Sequence, residues 1–128
     1  MFLRFLDTLF VRYGNTSGRA DRVEFWCFHF FNLILIGGLC VLTIFLAGTL
    51  GDSLWAYLCH GAIVTFMFFL LVPAYCTTAR RFHDFGWKSH AWIMFVPFLN
   101  FLLVIVGLIP GNSEVNEYGE PPTKTLSL

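Results

Sequence analysis

Charge is what this chain lacks most. Phe25–Gly51, Ser53–Ala79 and Ser89–Ser113 contain no Lys, Arg, Asp or Glu. Charged residues make up 12% of the sequence, against roughly a quarter in an ordinary soluble domain. Apolar residues reach 57%, with 16 Phe and 4 Trp. A soluble domain of 128 residues leaves too much of its surface wet to hide that much apolar area. Composition therefore excludes an ordinary soluble domain and points to lipid as the solvent.

Other absences narrow the function. Net charge is zero, so no basic field favours nucleic acid. No His-Glu-x-x-His, phosphate-loop or nucleophile-elbow spacing occurs. No Cys-x-x-Cys occurs either, and Cys27, Cys40, Cys59 and Cys76 all lie inside apolar runs, where Cys acts as a small hydrophobe. Cys27, His29, Cys76 and His83 fall at a similar depth and offer a four-ligand set, but without that pair we expect no metal and no cofactor. No acidic or basic residue lies deep in a run, which argues against a proton relay in one protomer.

What is present is a series of apolar runs separated by polar islands. Phe2, Phe5, Leu6, Leu9 and Tyr13 recur at helical spacing, which predicts an amphipathic interfacial helix or, alternatively, a helix packed on its own spans. Asp21 or Ser17 is placed to cap the first apolar helix, with Glu24 in capping-box spacing to Asp21. The runs predict spans at about 25–50, 54–79 and 90–110 in a single membrane domain, 1–122, followed by a flexible tail, 123–128. The third run carries Pro97 and Asn100; we expect one span there, with a re-entrant hairpin as the alternative.

Lys and Arg flanking a span resist translocation. Arg4, Arg12, Arg19, Arg22, Arg80, Arg81 and Lys88 would then share one side and Lys124 the other, placing the N-terminus in the cytoplasm and the tail outside. Within the membrane, Asn32, Thr43, His60, Thr65 and Asn100 are expected to hydrogen-bond between helices. Gly37-Gly38 and Gly61-x-x-x-Thr65 offer small faces for close helix contact, within or between protomers.

Three polar islands together resemble one family. Gly18-Arg19-x-x-Arg22-x-Glu24-Phe25-Trp26 is similar to its first signature. Arg80-Arg81-Phe82-His83-Asp84-Phe85-Gly86 is similar to its second, an Arg-Arg-Leu-His-Asp-x-Gly type followed by Ser-Gly-Trp-Trp. Pro110-Gly111 with Asn116-Glu117-Tyr118-Gly119-Glu120-Pro121 resembles its third. The family is domain of unknown function 805, the YhaH-like small bacterial inner-membrane proteins, and the likeness covers about Tyr13 to Pro122. After Gly86 this chain reads Trp87-Lys88-Ser89-His90-Ala91-Trp92, one residue more than the pattern. The resemblance implies a multi-pass bacterial inner-membrane protein and brings no activity, substrate or cofactor.

The candidate site is therefore a polar cluster of Arg19, Arg22, Glu24, Arg80, Arg81, His83 and Asp84 at the cytoplasmic boundary, with Asn116, Tyr118 and Gly119 as a tail motif. The reading we favour is a non-enzymatic scaffold or partner-binding protein, in which Glu24 and Asp84 pair with arginines and hold helices together. The alternative is binding of an anionic lipid headgroup or phosphate-bearing ligand by those arginines. His83 beside Asp84 has the residue types for acid–base catalysis, without a geometry to support it. The expected partners are membrane lipids and a second copy or another membrane protein, not nucleic acid.

Overall fold

The computed structural model describes residues 2–88 and 101–122; apart from one isolated β-bridge, Asn116 with Gly119, its regular structure there is helical. Helix α1 (Phe2–Leu6) runs into a π-helical turn, π1 (Asp7–Val11). Helices α2 (Arg22–Leu50) and α3 (Leu54–Asp84) form a long antiparallel hairpin, and α4 (Phe101–Leu108) packs against both.

The hairpin follows from its caps and its apolar content. Asp21 starts α2 by accepting the Glu24 N–H at 2.6 Å, satisfying one of the orphan donors of a helix start. Gly51, with φ +54, takes a positive-φ conformation that favours glycine, and α2 ends there. Two residues later Ser53 caps α3 through the Ala56 N–H at 3.2 Å. At ~1.5 Å per residue α2 and α3 are about 43 and 46 Å long, more than the ~30 Å of a bilayer core. Both are long and apolar enough to cross a membrane. Their outer faces carry large apolar side chains such as Leu33, Ile44, Phe45 and Trp55, each more than 60% exposed, a surface suited to lipid.

A third spanning helix is not shown. Of the third run only α4 is described, eight residues or about 12 Å, and Ser89–Asn100, with Trp92, Pro97 and Asn100, lies outside the described residues. Both flanks of the run sit at the same end of the hairpin. Lys88 follows the end of α3, and Ile109 is bonded to Arg81 of α3. The tail therefore packs at the same end of the hairpin as Arg19 and Arg81. The physical reason is that the carbonyls at the end of α4 lack intrahelical donors, and Arg81 of α3 supplies them at Val106 and Ile109.

The N-terminal segment packs on its own spans. Phe5 and Thr8 are buried, Leu6 and Leu9 are half-buried, and the core there is Phe5, Phe28 and Ala74. Phe2, Leu3, Phe10 and Val11 remain exposed. Tyr13 closes the segment by donating its hydroxyl to the Phe69 carbonyl at 2.6 Å. That carbonyl would ordinarily bond the N–H four residues on, but residue 73 is Pro and has none. The tyrosine fills the gap that the proline opens.

Candidate functional site

The Arg80–Asp84 island is the last helical turn and a half of α3. Remaining helical keeps Arg81 and Asp84 three residues apart on one face, where Arg81 Nη1 donates to Asp84 Oδ2. Arg19 reaches Asp84 from the other side, Nε to Oδ1 at 3.0 Å and Nη2 to Oδ1 at 2.9 Å. One buried carboxylate thus sits between two buried guanidinium groups, with side chains of Arg19, Arg81 and Asp84 at 1%, 0% and 5% exposure.

The surplus donors go to backbone carbonyls. Arg81 bonds Val106 (3.2 Å), Ala20 (3.3 Å) and Ile109, and its guanidinium lies 4.9 Å from the Phe85 ring centroid. Arg19 bonds the carbonyls of Glu114 (2.8 Å), Gly119 (3.3 Å), Asp84 (3.3 Å) and Asn112. Asn112 N–H returns to the Asp84 carbonyl at 2.8 Å. A guanidinium carries five N–H donors in a fixed fork and suits this task. The arginines therefore tie together the segment before α2, the end of α3, the end of α4 and the tail.

Glycine permits the closest approach. At Gly111 a Cβ would collide with the Asp84 carboxylate, so only Gly lets the tail pass. The tail then turns at Asn116–Gly119, where Gly119 has φ +115 and the Asn116 side chain accepts the Tyr118 N–H at 2.9 Å. Asn116 Nδ2 donates to the His83 carbonyl at 2.9 Å. The Tyr118 ring stacks on the His83 imidazole, centroids 3.9 Å apart and planes 1° from parallel. His83 Nδ1 faces the Gly18 carbonyl at 3.2 Å. Partial desolvation and the neighbouring Glu117 carboxylate raise the Tyr118 pKa above its ordinary value, so the phenol stays neutral over the physiological range.

A second pair joins the two long helices directly. Arg80 Nη1 lies 2.7 Å from Glu24 Oε1, and Glu24 also faces Arg12 at 3.8 Å. The Arg80–Glu24 contact is an ion pair by distance whose angles do not make a hydrogen bond. Arg4 pairs with Asp21 at 3.2 Å and Arg12 with Asp7 at 3.1 Å, both partly exposed. Arg22 stands apart: it is exposed and has no ion-pair partner among the described residues.

Several sequence expectations take a different form. Among the described residues, Cys27, His29, Cys76 and His83 do not gather into a group of three or more ligands. His60 Nε2 faces the Thr43 carbonyl of α2 at 3.1 Å, a contact between helices. Thr43 and Thr65 instead bond carbonyls four residues back in their own helices, because a hydroxyl reaches that carbonyl without leaving its helix. Asn32 Oδ1 is buried without a hydrogen-bond partner among the described residues. Gly37, Gly38 and Gly61 have open space where a Cβ would be and mediate no close contact among the described residues.

The three islands that meet in space all lie within, or end one residue beyond, the range matched by one family model. The family model described as Protein of unknown function (DUF805) matches residues 13–120. The chain belongs to this family. It is 34% identical over 113 residues to the Inner membrane protein YhaI of Escherichia coli (strain K12), covering 86% of this chain and 87% of that one. The YhaI of Escherichia coli O157:H7 gives the same identity and coverage. No solved structure matches. The family is one of uncharacterised membrane proteins, and its match runs from Tyr13, whose hydroxyl sits on the Phe69 carbonyl, to residue 120, just past the Asn116–Gly119 turn.

Proposed function

We propose that this chain is a non-enzymatic inner-membrane scaffold, or partner-binding protein, whose boundary arginines lock four segments into one unit. The observation that carries the reading is the buried Arg19–Asp84–Arg81 triad and the carbonyls around it. Its donors are consumed internally, as suits a lock and not a site for a passing substrate. A buried charge pair is an uncertain source of stability, but it fixes register, and apolar packing alone drives helix association poorly in lipid.

In this reading the polar end is cytoplasmic and α2 and α3 are the two spans. Seven of the eight Lys and Arg residues, all but Lys124, are described, and each sits at the polar end or within four residues of it. The opposite turn, Gly48–Ser53, has none and carries Asp52. That asymmetry favours the polar end inside. The return of Ile109 to Arg81 at the polar end supports a cytoplasmic tail.

Two measurements test this. Side-specific thiol labelling in a cysteine-free background is expected to reach Asn15→Cys and Ser113→Cys from the cytoplasm and Ser53→Cys from outside. Labelling of Ser113→Cys from outside overturns the topology. In-membrane cross-linking is expected to trap a discrete protein complex that Asp84→Asn disperses. A chain that cross-links to no protein in either form contradicts the scaffold reading.

A further inference from the structure

We propose that Arg22 and the face of α2 beneath it form a site for one anionic phospholipid of the leaflet at the polar end. Arg22 is the first residue of α2, exposed, and unlike Arg19, Arg80 and Arg81 it has no ion-pair partner among the described residues. Directly below it Val23, Trp26, Cys27, Phe30 and Phe31 line an apolar groove of about 400 Å³. From residue 22 to residue 31 the helix rises about 13 Å along the membrane normal. The groove is built as well as open. Trp26 is held by its indole N–H on the Gly107 carbonyl at 3.1 Å, while Val23 and Phe30 remain about half exposed.

The order of polarity selects the occupant. A free cation at the mouth followed by an uninterrupted apolar wall matches a phosphate headgroup followed by an acyl chain. A soluble phosphate compound would leave the wall uncovered. A second copy docked through the same face would bring two Arg22 residues to one depth in the membrane, like charge toward like. The lock does not include Arg22, so this site stands or falls independently of the scaffold reading.

The test uses the full-length chain in phosphatidylcholine bilayers doped with spin-labelled phosphatidylglycerol or spin-labelled phosphatidylcholine. The wild type is expected to prefer the anionic lipid, and Arg22→Gln to reduce that preference roughly fivefold, the factor one interfacial cation contributes. Arg22→Lys is expected to retain most of it. Glycerol 3-phosphate is expected not to compete, since it has no chain for the groove. Thermal unfolding of Arg22→Gln should match the wild type, which shows that the lock is intact. Equal association of both lipids with the wild type, or an unchanged preference in Arg22→Gln, overturns the site. Competition by glycerol 3-phosphate would assign Arg22 to a soluble ligand, and Phe30→Cys disulfide dimers that exclude phosphatidylglycerol would assign the groove to a second copy; either refutes the proposal.

Discussion

The two ends of the α2–α3 hairpin are built from different physics. At the polar end, every residue of α3 from Pro73 to Phe82 except the half-buried Tyr75 is buried, covered by α1, π1, α4 and the tail. At the far end nearly every large side chain faces outward, and Ala56 is the one residue of the first four turns of α3 that is buried. The polar end spends its charges on carbonyls and carboxylates of other segments. The far end has one notable polar contact between helices, His60 on the Thr43 carbonyl. The difference teaches where a small membrane protein specifies its fold. Apolar length places both helices in lipid, and a desolvated polar knot at one end fixes which segments meet.

Breaking the knot should have the largest effect. Asp84→Asn leaves two buried guanidinium groups facing each other across a neutral amide. It should cost about 3–5 kcal/mol, as loss of one partner from a buried pair does, read as a fall in thermal midpoint in detergent. Next is Gly111→Ala, whose methyl collides with Asp84 and forces the tail off. We expect a cost of about 1–3 kcal/mol, with faster hydrogen exchange at the Asn112 amide. At the far end His60→Leu removes a single interhelical polar contact and should cost about 0.6 kcal/mol, the usual scale for such bonds in membrane helices. The smallest change is expected from Ile44→Ala. Ile44 is 73% exposed to the apolar surroundings, and a loss within about 0.5 kcal/mol of zero would show that the far end carries little specificity. A far-end substitution as costly as Asp84→Asn would erase the contrast.

How much of this was legible in the sequence follows the same division. The two spans were legible because runs without charge and a cap at Asp21 leave a direct trace. The meeting of Arg19 to Glu24 with Arg80 to Asp84 was also indicated, since both islands flank apolar runs at one boundary. The docking of the tail followed only from the hairpin alternative for the third run, because Arg19 and Arg81 bind backbone carbonyls, which no residue type announces. Gly111 was visible only as part of a motif, and its need to pass the Asp84 carboxylate appears only in three dimensions. The packing of Phe5 and Leu9 on α2 and α3 was one of two readings that the sequence left open. A helix with one apolar face has the same periodicity whether it faces lipid or its own neighbours. Tyr13 and Pro73, fifty-six residues from Tyr13 to the carbonyl at Phe69, form a pair that local pattern does not reveal.

The central claim is that Arg19 and Asp84 act as one unit across 65 residues of chain. A double-mutant cycle with Arg19→Gln and Asp84→Asn, read by thermal unfolding of the full-length chain, tests it most directly. The lock requires a coupling of about 1–3 kcal/mol, with the double mutant far less damaged than the sum of the singles. Additivity to within about 0.5 kcal/mol would contradict the account.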